Sequence, residues 1–121
     1  MHKRPYENIV AWQEAYNLCL YIYKLAKKLP MEERFALANQ LRKSAYSVPT
    51  NNAEGNMKRS KKDKARFYEI SQGSLEELHC ECKLAFDLQY VSMSEFEKVD
   101  EHINRVSYLL TRLKSAVLKF P

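Results

Sequence analysis

The residues with the clearest capacity for chemistry are His79, Cys80 and Cys82. Thiolate and imidazole are zinc ligands. On a helix, however, Cys80 and Cys82 lie about 200° apart and cannot hold one ion. His79 and Cys82, three residues apart, share a face, and in an antiparallel hairpin His102 falls at a similar height. A fourth ligand is missing, so the expectation is two small buried thiols, two solvated histidines and no metal site. The carboxylate pairs Glu76-Glu77 and Asp100-Glu101 fall on polar faces, without the burial that would tune them for acid–base work. No Gly-rich phosphate loop, nucleophile elbow or H-E-x-x-H helix occurs. The chain therefore predicts no enzyme active site and no cofactor. The remaining candidate is a dense run of cations, Lys58-Arg59-Ser60-Lys61-Lys62, which suits phosphate.

The elements that position these residues are helices. With two glycines and four prolines in 121 residues, the turns a sandwich or barrel needs are absent. The length suits one domain, residues 1–121. Helix 4 is the clearest. Ser94 and Glu97 form an S-x-x-E capping box, followed by Phe96, Val99, Ile103, Val106, Leu110, Leu113, Val117 and Phe120 at spacings of three and four. That is an a/d heptad seam. Helix 1, from about Tyr6 to Leu29, carries two seams: Ile9, Trp12, Tyr16, Cys19, Tyr23, Ala26 and Ala11, Ala15, Leu18, Ile22, Leu25, Leu29. Together they cover about half the circumference, wider than the roughly 100° stripe of a surface helix. This helix is either wedged between two neighbours or meets another subunit. Helix 2, about Glu32 to Glu54, places Ala38, Leu41, Ala45 and Val48 on its seam. Pro49 predicts a kink and Gly55 a C-terminal stop. Helix 3 begins after a second box, Ser60 to Asp63, and runs to about Gln89, with Phe67, Ile70, Ser74, Leu78, Ala85 and Leu88 inward. Gly73, beside Ser74, predicts close helix approach. Short connections then dictate an all-α, antiparallel up-down-up-down four-helix bundle.

That topology sorts the charge. The net charge is +5 and the pI about 9.1. One end gathers Lys3, Arg4, Lys58, Arg59, Lys61, Lys62, Lys64, Arg66, Arg112, Lys114 and Lys119 against Glu7, Glu54, Asp63 and Glu69. The other end holds most of the acids. Lys58, Arg59, Lys61, Lys62, Lys64, Arg66 and Lys114 are the candidate nucleic-acid ligands, acting by counterion release without reading sequence. No apolar run approaches the roughly 20 residues of a membrane span. The start, Met1 to Glu7, leads into no secretory leader. An odd set of three cysteines with poor disulfide spacing points to a reducing cytoplasm.

Three stretches also carry a resemblance. Gln40-Leu41-Arg42-Lys43-Ser44-Ala45, Ser47-Val48-Pro49-Thr50-Asn51-Asn52-Ala53-Glu54-Gly55 and Gly73-Ser74-Leu75-Glu76-Glu77-Leu78, preceded by Trp12, are similar to the bacterial four-helix-bundle family named after 23S ribosomal RNA intervening-sequence proteins. The similarity runs over nearly the whole chain. It implies a homopentameric barrel with a basic surface that binds nucleic acid, RNA above all, or docks a protein such as the reverse transcriptase of a diversity-generating retroelement. By the same resemblance Pro49, Asn51, Glu54, Gly55, Gly73 and Ser74 shape the backbone rather than react. Asn52 departs from the family, which has an apolar residue there. A buried Asn needs partners, so this end of the bundle is expected to be wetter or repacked.

Overall fold

The computed structural model describes residues 2–119. Its four α-helices are α1 (Val10–Ala26), α2 (Leu37–Met57), α3 (Lys61–Asp87) and α4 (Met93–Lys119). Each packs against its two neighbours in the cyclic order α1, α2, α3, α4, and among the described residues the backbones of the diagonal pairs stand farther apart. This is the expected antiparallel four-helix bundle.

The α4 seam is as expected: Val99, Ile103, Val106 and Leu110 are buried, and Phe96 and Leu113 pack against the core. Phe120 lies outside the described residues. The capping box, however, is two residues earlier. Ser92 Oγ accepts from the Glu95 N–H at 3.0 Å and the Ser92 N–H donates to Glu95 Oε1 at 2.9 Å. Ser92-x-x-Glu95 has the same S-x-x-E form as Ser94-x-x-Glu97, and an ion pair from Lys28 to Glu95 favours the former.

The ends of α1 and α2 also differ from expectation. Pro5–Asn8 forms a separate 3-10 turn. It is closed by the Arg4 N–H on Glu7 Oε2 at 2.6 Å, and Ile9 is extended before α1 begins. The chain between α1 and α2 is not helical from Glu32. A 3-10 turn at Met31–Glu33 leads into Arg34, Phe35 and Ala36, and the Leu37 N–H reaches Glu33 Oε1 at 3.3 Å. That segment has no seam to bury, with Met31 80% and Phe35 85% exposed.

On α3, Tyr68, Ser71, Leu75 and Cys82 are buried with Ser74, Leu78 and Ala85, whereas Ile70 and Leu88 are exposed. Ser74, Leu78 and Ala85 are thus inward as expected, whereas Tyr68 and Ser71 are buried in place of Phe67 and Ile70, and Leu88 lies outside the core. Ser71 is tolerated inside because its hydroxyl donates to the Val48 carbonyl at 2.9 Å.

The helix 2 motif acquires a physical account. Pro49 removes a backbone donor, yet α2 runs unbroken from Leu37 to Met57. Carbonyls around it also take side-chain donors: Thr50 Oγ1 to Tyr46 at 2.9 Å, Asn51 Nδ2 to Ser47 at 2.8 Å and Ser71 Oγ to Val48. Neither glycine takes its expected role. Gly55 is not a helix stop; it is buried inside α2, where an added Cβ would stand 2.8 Å from Tyr68 Cε1 and 3.0 Å from Phe67 Cβ. Gly73 does not mediate close approach, because nothing lies within 4 Å of a Cβ placed there.

Candidate nucleic-acid interface

The α2–α3 connection is shorter than the run of cations suggested. Helix α2 ends at Met57 and α3 begins at Lys61, so Lys61 and Lys62 belong to the first turn of α3. Ser60 caps that turn by accepting from the Asp63 N–H at 3.1 Å. The positive end of the α3 dipole and two lysines thus share one place. Asp63 in the same turn offsets only part of this unfavourable combination.

The seven expected cations divide into two groups. Three, Lys58, Lys64 and Lys114, have an oxygen partner within the chain. Lys58 pairs with Glu54 at 3.6 Å and lies 4.8 Å from the Phe67 ring centroid. Lys64 donates to the Asn56 carbonyl at 2.7 Å, closing the C-terminal end of α2. Lys114 pairs with Glu69 at 2.8 Å, and Arg66 packs on Phe67 at 5.0 Å. Among the described residues, Arg59, Lys61, Lys62 and Arg66 have no carboxylate within 4.0 Å. The free cations are therefore a subset of the predicted site, centred on the start of α3.

The 3-10 turn at Pro5–Asn8 packs against α2, which places the N-terminal segment at this same end. Beside it opens a cleft of about 380 Å³, lined by Lys3, Tyr6, Glu7, Trp12, Gln13 and Tyr16. Trp12 stacks on Tyr16 with centroids 4.8 Å apart and meets Tyr6 edge-on at 4.9 Å. By spacing Trp12 and Tyr16 fall on one seam of helix 1, and nothing in the sequence assigns Tyr6 a place. Their clustering depends on the break at Ile9, which no periodicity signals.

A polar cluster between α2 and α3 carries no sequence signal either. Ser47 and Ser74 share a hydrogen bond of 2.7 Å, Asn51 Nδ2 adds a bond of 3.0 Å to Ser47 Oγ, and Ser44 donates to Glu81 at 3.1 Å. Burial pushes the Glu81 carboxyl above its ordinary value, with the Ser44 bond opposing the rise, and Oε1 has no partner. The motif residues Asn51 and Ser74 are thus linked through Ser47. Glu54, by contrast, is exposed and only faces Lys58.

Of the two thiols expected to be buried, only Cys82 is. His79 bonds Asp100 on α4 at 2.9 Å, while His102 faces Glu14 on α1 at 3.8 Å. Cys80 is exposed and Cys82 buried, and burial pushes the Cys82 thiol up to about 12. Among the described residues no three His, Cys, Asp or Glu side chains gather as ligands, and no helix is long and apolar enough to cross a membrane.

The fold and this end together define a helical bundle with a basic pole. Residues 7–112 match the profile of the 23S rRNA-intervening sequence protein family. The chain belongs to that family. Its fold is also that of a crystal structure of a protein with unknown function from the S23 ribosomal protein family of Bacteroides thetaiotaomicron VPI-5482. The two are 20% identical, with a TM-score of 0.81, over 87% of this chain and 98% of the other. No curated protein matches the chain.

Proposed function

We propose that this protein is a non-catalytic, oligomeric nucleic-acid-binding module of the cytoplasm, taking RNA or a ribonucleoprotein through its basic end. The observation that carries the reading is the group Arg59, Lys61, Lys62 and Arg66, which no carboxylate neutralises, set at the positive end of the α3 dipole. A phosphate there would meet cations, free helix N–H groups and dipole at once. The family's name, which refers to a 23S rRNA intervening sequence, agrees with RNA as the polyanion. Oligomerisation is supported by half-exposed apolar groups on adjoining faces of α1 and α2: Leu20, Tyr23 and Tyr46. The test replaces Arg59, Lys61 and Lys62 with Ala and measures affinity for structured RNA by fluorescence anisotropy across salt concentrations. We expect weaker binding and a salt slope reduced by about one unit per lost phosphate contact. Unchanged affinity and slope would remove the basic end from the site.

A second reading is a pentameric scaffold that docks a protein such as a reverse transcriptase. The exposed Met31, Phe35 and Met93 at the opposite end favour it. Binding of a protein partner through those side chains would persist at high salt, whereas phosphate binding falls steeply.

A further inference from the structure

The cleft beside the N-terminal turn has a composition that the basic patch alone does not explain. Phosphate recognition needs cations and donors, yet here three aromatic rings converge at the edge of a basic pole. Trp12 and Tyr16 are stacked with planes only 22° apart. Tyr16 leaves 44% of its surface exposed. The rings are held from below: Gln13 Nε2 donates to the Glu7 carbonyl at 2.8 Å and Glu7 in turn takes the Arg4 N–H, which ties the turn that carries Tyr6 to α1. Lys3 lines the mouth. The volume, about 380 Å³, falls within the roughly 300–1,000 Å³ of small-ligand clefts.

A planar group entering this cleft continues the Trp12–Tyr16 stack while its attached phosphate meets Lys3. Aromatic platforms beside cationic grooves hold unpaired bases, because every base has a π-face, whereas a base inside a duplex has both faces covered by its neighbours. We infer that the cleft of Tyr6, Trp12 and Tyr16 is a stacking site for one unpaired nucleobase, so that the basic end takes single-stranded or looped nucleic acid rather than continuous duplex. The inference rests on the nucleic-acid reading above and narrows it.

Trp12 is the one tryptophan of the chain, so its emission reports on this cleft alone. A short oligouridylate, the matching oligothymidylate and a duplex would be titrated against the full chain, with anisotropy and Trp12 fluorescence read together. Both single strands should quench Trp12 at the midpoint seen by anisotropy, their difference giving the preference for ribose or deoxyribose. The duplex should bind more weakly and leave the emission unchanged. Tyr16→Ala should weaken single-strand binding about tenfold or more, with helical circular dichroism retained, and Tyr16→Phe should restore it. Binding by anisotropy without quenching overturns the stacking site and leaves the basic-end reading standing. No binding of any oligonucleotide overturns both. A Tyr16→Ala variant with changed oligomeric mass and unchanged affinity would make the cleft a contact between copies, which also overturns it.

Discussion

Asn52 is fully buried, and neither its Oδ1 nor its Nδ2 meets a protein partner. The sequence anticipated an unusual environment here, four residues after Val48, and the structure encloses the amide completely. An unpaired buried polar group costs about 1–3 kcal/mol. Asn52→Leu, γ-branched like Asn and apolar, should therefore raise the melting temperature by several degrees at fixed protein concentration; a lower melting point would mean the added volume outweighs the relieved amide. Glu81 makes a pH prediction. Its carboxyl is raised by burial above the ordinary 4.5. The folded state thus favours the protonated form, and the contribution is complete below pH 4.5 and lost as pH rises through the raised value. Glu81→Gln should abolish that decline in thermal melts recorded from acid to neutral pH, and a decline of undiminished size would assign it to another group. Asn52 is legible as an anomaly through the family resemblance, which implies an apolar residue four positions after Val48. Glu81 is not, because a carboxylate beside Cys80 and Cys82 reads as a solvated helix position until Ser44 is brought across from α2.

The helices separate what periodicity reveals from what it hides. The α4 seam could be read directly, since one unbroken heptad faces one core. Ile103→Asp or Leu110→Asp places an unpaired charge in that core and should unfold the bundle, at a cost of several kcal/mol comparable with the stability of a small domain. Normal helical circular dichroism and melting would contradict the packing. The α3 seam is only half legible: Ser74, Leu78 and Ala85 face inward as the spacing predicts, but Ser71 and Cys82, whose hydroxyl and thiol do not register as apolar, are inward too, while Ile70 and Leu88 look outward. The connector between α1 and α2 reads as helix from Glu32 because Glu32 and Glu33 after Pro30 suit a helix N-terminus, but they stand in a 3-10 turn and α2 begins only at Leu37. Glycine type alone could not distinguish two roles that depend on the neighbouring helix. Gly73→Ala, in open space within a helix, should stabilise by about 1 kcal/mol. Gly55→Ala should destabilise, since Tyr68 and the Phe67 Cβ would have to move. Denaturant midpoints of the two variants should shift in opposite directions, and a shift in the same direction would refute the assignment of close approach to Gly55.

At the scale of the whole molecule the question is which surface the bundle cannot leave in water. The inner seam of α1, Ala11, Ala15, Leu18, Ile22, Leu25 and Leu29, is consumed by the core. The second seam is only partly consumed: Cys19 and Ala26 are buried, whereas Tyr16 and Tyr23 remain 44% and 38% exposed. Tyr23 lies close enough to Tyr46 and Arg42 of α2 for their charges to act on its hydroxyl, which burial raises above its ordinary value. Leu20, one turn from both Tyr16 and Tyr23, is 51% exposed. Apolar side chains scattered singly need no explanation, but a contiguous stripe across two helices does. The wide apolar face of α1 thus divides three ways: one seam packs inward, Trp12 and Tyr16 line the N-terminal cleft, and Leu20 and Tyr23 with Tyr46 of α2 form the stripe expected to meet a second copy. Light scattering should give a mass several times the 14.3 kDa of one chain, fivefold by the family resemblance. Leu20→Asp together with Tyr46→Asp should lower that mass to one chain. Helical circular dichroism should be retained, because neither side chain belongs to the core and exposed substitutions usually change stability by less than about 0.5 kcal/mol. A wild-type mass of one chain would sink oligomerisation, and an unchanged multiple in the double variant would place the contact on another face. Dissociation would carry a further consequence for the basic pole. Each copy contributes Arg59, Lys61, Lys62 and Arg66, and a long nucleic acid that spans several copies gains from their multiplicity without any new contact. The dissociated variant should then lose affinity for a long RNA while keeping the wild-type affinity for an oligonucleotide short enough to touch one copy.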